Sequence, residues 1–441
     1  MRRREFIKQV AGTAAAVSTM SAFSADRVVG ANDRINIALI GCGGRGLTVA
    51  RLMKQVPNVA YVAFCDVYEP NARSARQSLG ADGAETYKDF RRILERNDIH
   101  VVHVATPDHW HAMPTILACQ ARKDVYVEKP LGLTVREGRA MVEAARRSNR
   151  IVQTGMQHRS APHYKEIEDI IQSGQIGEVH FVHVWNYSTV YTVDATPPDS
   201  AAPEGLDWDF YLGPAPKVPY NTLRFRTYRR FYDYSGGFIT DFGAHRLDSV
   251  HQVMHDDAPL TAMGVGGVYG PKSIVDTPNV LNVTYEYQNF VLTYEGIQLN
   301  GFGTGPRMPG GRVPYGGSKG GHDRPHGEAF YGTKGTIFSD RVGYELFLGG
   351  RGDNGEPKSV VGRDCTDLHA RNFIDCIRSR QRPVADVEIG HRSTIVPHLG
   401  NISYRVGGRK IRWDADKEQI PDDPQATALL ARQSRAPWNL L

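Results

Sequence analysis

The chain predicts a doubly wound parallel α/β domain over residues 35–155, followed by an α+β domain over 156–416 with an open, largely antiparallel sheet. Three observations carry this. Continuous apolar strands alternate with helix-patterned segments as far as Thr154. A glycine-rich turn joins the first strand to the first helix. Beyond Gly155 the strands change character and alternate residue by residue between apolar and polar side chains.

At 441 residues with 41% hydrophobic and 23% charged content, the composition is that of a globular protein with ample core. The net charge of +5 is small and its basic residues are interspersed with acidic ones, so nothing supports nucleic-acid binding. Five cysteines show neither CxxC nor metal-ligand spacing. Cys42, Cys65 and Cys119 sit in apolar or glycine-rich segments as small buried residues, and Cys365 and Cys376 would pair only in an oxidising compartment.

Residues 1–25 read as an address. Arg2-Arg3-Arg4-Glu5-Phe6-Ile7-Lys8 precedes the uncharged stretch Val10 to Ala25, too short and too rich in Ala, Ser and Thr for a membrane span. Small residues at Ala22 and Ser24 or Ala25 place cleavage near residues 24–26. Arg3-Arg4-x-Phe6-Ile7-Lys8 resembles the twin-arginine export signal. The resemblance implies the twin-arginine machinery as a partner, a periplasmic or otherwise exported location, export of the folded chain, and no membrane attachment after cleavage.

Ile35 to Ile40 is the first buried strand, followed by Gly41-Cys42-Gly43-Gly44-Arg45-Gly46 and a helix from Leu47 to Val56. In a Rossmann G-x-G-x-x-G, Gly41 makes the tight turn, Gly43 lets backbone N–H groups approach a pyrophosphate, and Gly46 lets helix and strand pack closely. Gly44 and Arg45 lie in the same loop. The second strand, from Val59, ends at Asp66, where a carboxylate holds ribose hydroxyls. That favours NAD, while Arg73 and Arg76 nearby leave NADP open. Strand Val101 to Ala105 leads into Thr106-Pro107-Asp108-His109-Trp110-His111 at the carboxyl edge of the sheet, and strand Asp124 to Val127 into Glu128-Lys129-Pro130. Helix Val135 to Ser148 and strand Arg150 to Thr154 close the domain.

The glycine motif, the Thr106-Pro107-Asp108-x-x-His111 loop and above all Glu128-Lys129-Pro130 resemble the Gfo/Idh/MocA oxidoreductase family over nearly all residues from Ile35 onward. The resemblance implies that Lys129 projects between nicotinamide and substrate. Thr106, Pro107, His111, Glu128 and Gln157 are the further cofactor candidates, beside the glycine loop and Asp66.

In the second half, helix Pro162 to Ser173 leads to strand Val179 to Trp185, and two-faced strands recur at Val280 to Tyr287, Phe290 to Tyr294, Thr336 to Ser339 and Tyr344 to Leu348. Ser235-Gly236-Gly237 leads into Asp241 and His245, which share one face if the segment is α-helical. A carboxylate that orients an imidazole makes a proton shuttle. Asp-x-x-x-His also matches the family's second catalytic element, so the resemblance implies a Lys129/Asp241/His245 constellation. His245, His251 and His255 recur within eleven residues but lack a His-Glu-x-x-His or cysteine partner, and no metal is expected. The glycine-rich stretch 301–326 suits a lid or subunit arm, helix Asp364 to Arg380 turns Phe373, Ile374 and Ile377 inward, and the tail 417–441 reads as a polar wrap.

These features imply hydride transfer from a sugar, polyol or glycoside carbinol to a nicotinamide, with Lys129 stabilising the alkoxide, His245 as base and Asp241 holding its tautomer. His158, Arg159 and Tyr187 are the substrate-contact candidates. Because free NAD is scarce outside the cytoplasm, an exported enzyme needs a tightly bound cofactor that each turnover restores. A redox-assisted glycosidase, with a transient ketone, elimination and re-reduction, satisfies the same constraint. A non-catalytic binding protein on this fold is the third reading. The family's open sheet face implies a homo-oligomer.

Overall fold

The computed structural model describes residues 34–188, 195–299, 325–350 and 355–439. Residues 1–25, read above as an export signal, and nearly all of the glycine-rich stretch lie outside them. Strands β1 (Ile35–Ile40), β2 (Val59–Cys65), β3 (Glu85–Tyr87), β4 (Val101–Val104), β5 (Asp124–Val127) and β6 (Val152–Thr154) form a wholly parallel sheet. Its order is β3-β2-β1-β4-β5-β6, the doubly wound arrangement that opens a crevice at the carboxyl ends of β1 and β4. Ile37, Leu39, Val101 and Val102 are fully buried, as strands covered on both faces require.

Among the described residues the second sheet has nine strands: β7 (Val179–Tyr187), β8 (Thr261–Gly267), β9 (Val280–Glu286), β10 (Val291–Ile297), β11 (His326–Gly332), β12 (Gly335–Asp340), β13 (Gly343–Leu348), β14 (Lys358–Val361) and β15 (Ile411–Arg412). The order is β14-β13-β12-β11-β7-β10-β9-β8-β15, antiparallel except where β10 runs parallel to β7. Val182 and Val184 of β7 face the helical core, whereas Trp185 and Tyr187 join a separate aromatic cluster with Ala329.

Sequence pattern missed β8, β11 and the long helix Val387–Arg405. Glycine explains two of them. A Cβ on Gly264 of β8 would lie 2.7 Å from the Gly400 carbonyl oxygen, one on Gly400 would lie 2.6 Å from the Tyr285 hydroxyl, and one on Gly390 would overlap Thr154. These glycines, which weaken both propensities, let the helix lie flush against β8 and β9 at one end and β6 at the other. The helix thereby pins the two domains together. Helix Thr366–Ser379 turns Phe373, Ile374 and Ile377 inward as expected, and the core it enters is that of the N-terminal sheet, with Ile37, Leu39, Val49 and Phe64.

Candidate active site

The glycine loop behaves as its spacing dictates. Gly41 has φ +88° and a Cβ there would meet the Ala105 carbonyl carbon at 2.5 Å, so only glycine makes this turn. A Cβ on Gly46 would overlap the Gly41 carbonyl oxygen, whereas Gly43 and Gly44 have nothing within 4 Å of that position. The open side faces a cavity of about 300 Å³ lined by Gly41, Gly43, Gly44, Arg45, Asp66, Thr106 and Pro107. The helix Gly44–Lys54 begins there with no side-chain cap, leaving its first N–H groups for a ligand. Asp66 Oδ2 accepts the Cys42 N–H at 2.8 Å and Oδ1 the Tyr68 N–H at 2.8 Å, and burial pushes this carboxyl above its usual range. The Thr106 hydroxyl is buried without a hydrogen-bond partner among the described residues. A loop open only at Gly43 and Gly44, uncapped N–H groups and a fixed carboxylate fit a dinucleotide.

Arg45 turns away from the loop. Its Nε donates to Glu128 at 2.8 Å and its guanidinium reaches Gln157 at 3.3 Å, tying glycine loop, Glu-Lys-Pro turn and β6 exit together. Burial works against the Glu128 charge, but Arg45, Lys129 and His103 outweigh it and hold the carboxyl below its usual range. His111 is also structural: its ring nitrogens face the carbonyls of Pro130, at 2.7 Å, and Thr106, at 2.9 Å. It therefore aligns the two loops and does not reach the cofactor cavity, contrary to expectation.

Lys129 and Asp241 meet. Lys129 Nζ donates to Asp241 Oδ1 at 2.5 Å and to the Asp241 carbonyl at 2.6 Å, with the two side chains 11% and 8% exposed. The other carboxylate oxygen, Oδ2, lies 2.8 Å from Arg229 Nε. The expected Asp241–His245 bond is absent: residues Ile239–Gly243 form a π-helical turn before the α-helix Ala244–Met254, and both Asp241 oxygens go to cations. His245 is buried beside the pair, with Nδ1 lacking a partner among the described residues, and its ring stacks on His158 at 5.1 Å. Burial, then Lys129 and His158, hold the His245 imidazole well below its usual range, so it is neutral.

The three substrate candidates are placed elsewhere. His158 Nδ1 faces the Ser249 hydroxyl at 3.0 Å and its Nε2 faces Arg341 at 3.2 Å, which makes it a support for His245. Arg159 Nε donates to Asp248 at 2.8 Å. Tyr187 points to the opposite face of the sheet, where its hydroxyl donates to Glu295 at 2.5 Å. His251 pairs with the Tyr287 hydroxyl and His255 with Glu168, so these two rings do not converge. All five cysteines are free and buried.

Sequence reasoning missed the lining contributed by Phe225, Arg226, Tyr228 and Arg229. The signal was present as Arg224-Phe225-Arg226-Thr227-Tyr228-Arg229-Arg230, a basic and aromatic run just before Ser235-Gly236-Gly237. The longer stretch 205–235 that contains this run is pinned over the nucleotide domain: Glu69 N–H donates to the Gly205 carbonyl and Asp207 N–H to that of Val67, both at 2.9 Å. Trp110 Nε1 donates to the Tyr211 carbonyl at 2.9 Å and Ser235 Oγ to Asp108 at 2.6 Å.

A glycine-loop crevice beside a buried lysine–aspartate pair, shared between a parallel and a mixed sheet, defines a two-domain dinucleotide-binding protein. Residues 35–156 match the oxidoreductase-family NAD-binding Rossmann fold, and residues 162–291 and 362–440 match that family's C-terminal α/β domain. The chain belongs to the Gfo/Idh/MocA oxidoreductase family. It is 29% identical over 174 residues, 39% of this chain and 50% of the relative, to inositol 2-dehydrogenase of Salmonella typhimurium. It is 30% identical over 151 residues, 33% of this chain and 39% of the relative, to levoglucosan dehydrogenase of Pseudarthrobacter phenanthrenivorans. The chain thus spans about half the length, or less, of these curated relatives. Among solved structures, levoglucosan dehydrogenase in complex with NADH and L-sorbose superposes with TM-score 0.66 at 18% identity, covering 86% of this chain and 99% of that one. Aldose-aldose oxidoreductase from Caulobacter crescentus complexed with glycerol gives 0.64 at 16%, with 86% and 99% covered.

Proposed function

We propose that this protein is an NAD-dependent oxidoreductase acting on a secondary alcohol of a sugar, polyol or glycoside, with a retained cofactor. The observation that carries this reading is the Lys129 ammonium fixed 2.5 Å from Asp241 Oδ1 beside the glycine-loop cavity. A nicotinamide ring in that crevice supplies the hydride-accepting carbon. Lys129, swinging from Asp241 to the substrate hydroxyl, stabilises the oxygen as negative charge develops. His245, held neutral by burial, takes the hydroxyl proton on an imidazole nitrogen. The Asp241 carboxylate, itself held in place by Arg229, draws Lys129 back to position after each turnover. The dehydrogenase names of the inositol and levoglucosan relatives support a polyhydroxylated substrate.

The second reading, redox-assisted glycoside cleavage, is supported by a relative named glycosyl hydrolase family 109 protein from Saccharopolyspora erythraea, 35% identical over 127 residues. The basic start and Ala/Ser/Thr-rich stretch of residues 1–25 support twin-arginine export to the periplasm, and exposed Met263, Val265, Val291 and Val361 on the second sheet support a homo-oligomer.

Absorbance at 340 nm, followed with free sugars and aryl glycosides, tests the reading. Reduction of bound cofactor by a sugar, with kcat/KM lowered about 10²- to 10⁴-fold in Lys129→Met, is the expected result. Aglycone release without net reduction selects the glycosidase. No change with any nucleotide or sugar rejects both.

A further inference from the structure

The cavity over the glycine loop carries four cationic side chains in its wall: Arg45, Lys88, Arg226 and Arg229. Two are held in close ion pairs and a third, Lys88, has an acid nearby. Arg45 is 2.8 Å from Glu128, Arg229 is 2.8 Å from Asp241, and Lys88 is 4.0 Å from Asp207. Arg226, exposed at the end of the short helix Thr222–Arg226, forms no ion pair or side-chain hydrogen bond with any described residue. Its neighbours in the same run are spoken for as well: Arg224 is 3.1 Å from Asp233 and lies over the Phe231 ring at 4.7 Å.

The backbone around Arg226 is fixed. Asn221 caps the helix by accepting the Leu223 N–H at 3.0 Å, and the next ring, Phe225, packs edge-on against Tyr68 at 5.9 Å, two residues beyond Asp66. Leu206 bridges to Tyr68 in the same region. A strongly basic group held in the wall opposite a glycine loop, with no acid to neutralise it, is suited to phosphate oxygens, which guanidinium binds in fork geometry. The one carboxylate among the described residues of that wall, Asp66, accepts the backbone N–H groups of Cys42 and Tyr68 and the side-chain amide of Asn71.

We propose that Arg226 is a phosphate ligand of the dinucleotide, so that the cofactor is gripped by the glycine loop of one domain and by a guanidinium of the other. This rests on the dinucleotide reading above and adds the second-domain grip. It gives retention a physical basis, since release then requires parting the two domains' contacts with one ligand.

The experiment is calorimetric titration of the full chain, freed of bound nucleotide, with NAD, NADP, ADP and adenosine, repeated for Arg226→Gln and Arg226→Lys. Loss of one charged hydrogen-bonded contact weakens binding about ten- to a hundred-fold. Arg226→Gln is expected to weaken NAD and ADP by that factor, leave adenosine unchanged, and be partly rescued in Arg226→Lys. A loss confined to NADP, with NAD and ADP unchanged, would mean that Arg226 does not grip the diphosphate and would overturn the proposal. Equal losses for ADP and adenosine, or no loss for any ligand, overturn the proposal while leaving the functional reading intact. Failure of the unsubstituted chain to bind any of the nucleotides would instead reject that reading.

Discussion

Lys129 and Asp241 form a unit that His245 stands beside without joining. Both carboxylate oxygens of Asp241 contact cations, so Asp241→Asn leaves two positive groups facing each other in a mostly buried space, at a cost of about 3 kcal/mol. A double-mutant cycle in urea should give at least about 1 kcal/mol of coupling between Asp241→Asn and Lys129→Met, and less than about 0.5 kcal/mol between Asp241→Asn and His245→Gln. The reverse order would mean that Asp241 serves the imidazole. At this scale the sequence was legible where a residue type is chemically committed: Lys129 after its strand, Asp66 at the end of β2. It was illegible where a partner decides the role. Spacing could not reveal that a π-helical turn precedes Ala244, that Arg341 and Ser249 occupy both nitrogens of His158, or that the face of β7 carrying Trp185 and Tyr187 lies away from the crevice.

Among elements, the glycine turn separates two requirements that its motif merges. Gly46→Ala forces a methyl into the Gly41 carbonyl oxygen and toward Ala105 Cβ at 3.0 Å, an overpacking that costs about 1–3 kcal/mol. Gly43→Ala meets only open space, with φ at an ordinary −72°. Its stability should stay within about 0.5 kcal/mol of the parent, while the added methyl stands where the pyrophosphate must come. Thermal melts with and without NAD separate the two: Gly46→Ala lowers the melting temperature of the free protein, and Gly43→Ala lowers only the increment that NAD adds. The β-strands of the first domain were readable because burial on both faces writes them as apolar runs. Helix Val387–Arg405 was not, because Gly390, Pro397 and Gly400 spoil its pattern for the sake of close approach to Thr154 and Tyr285.

For the molecule as a whole, the buried histidines set the response to acid. Burial holds His103, His369 and His398 down to about 4 and His109 and His251 down to about 3. It also lowers His158, His163, His245 and His326. Unfolded histidines bind protons below about pH 6.5 that these folded ones refuse, so the stability they allow above that pH is lost as pH falls toward 4. Glu328, raised by burial to about 7, and Asp276, raised to about 6, act in the opposite sense but are outnumbered. The melting temperature should therefore fall from pH 7 to pH 5. A flat or rising profile would show that these rings are not neutral inside the fold.

Helix Thr366–Ser379 completes the core that Ile37, Leu39, Val49 and Phe64 begin, and Trp438 closes on Trp110 and Phe210 with ring centroids 5.0 Å from each. A nascent chain on the ribosome therefore cannot finish its first domain as that domain emerges. Its earliest strands must wait for helix Thr366–Ser379 and Trp438 to be synthesised, and a chain truncated before residue 366 would present the apolar face meant for that helix to chaperones and proteases.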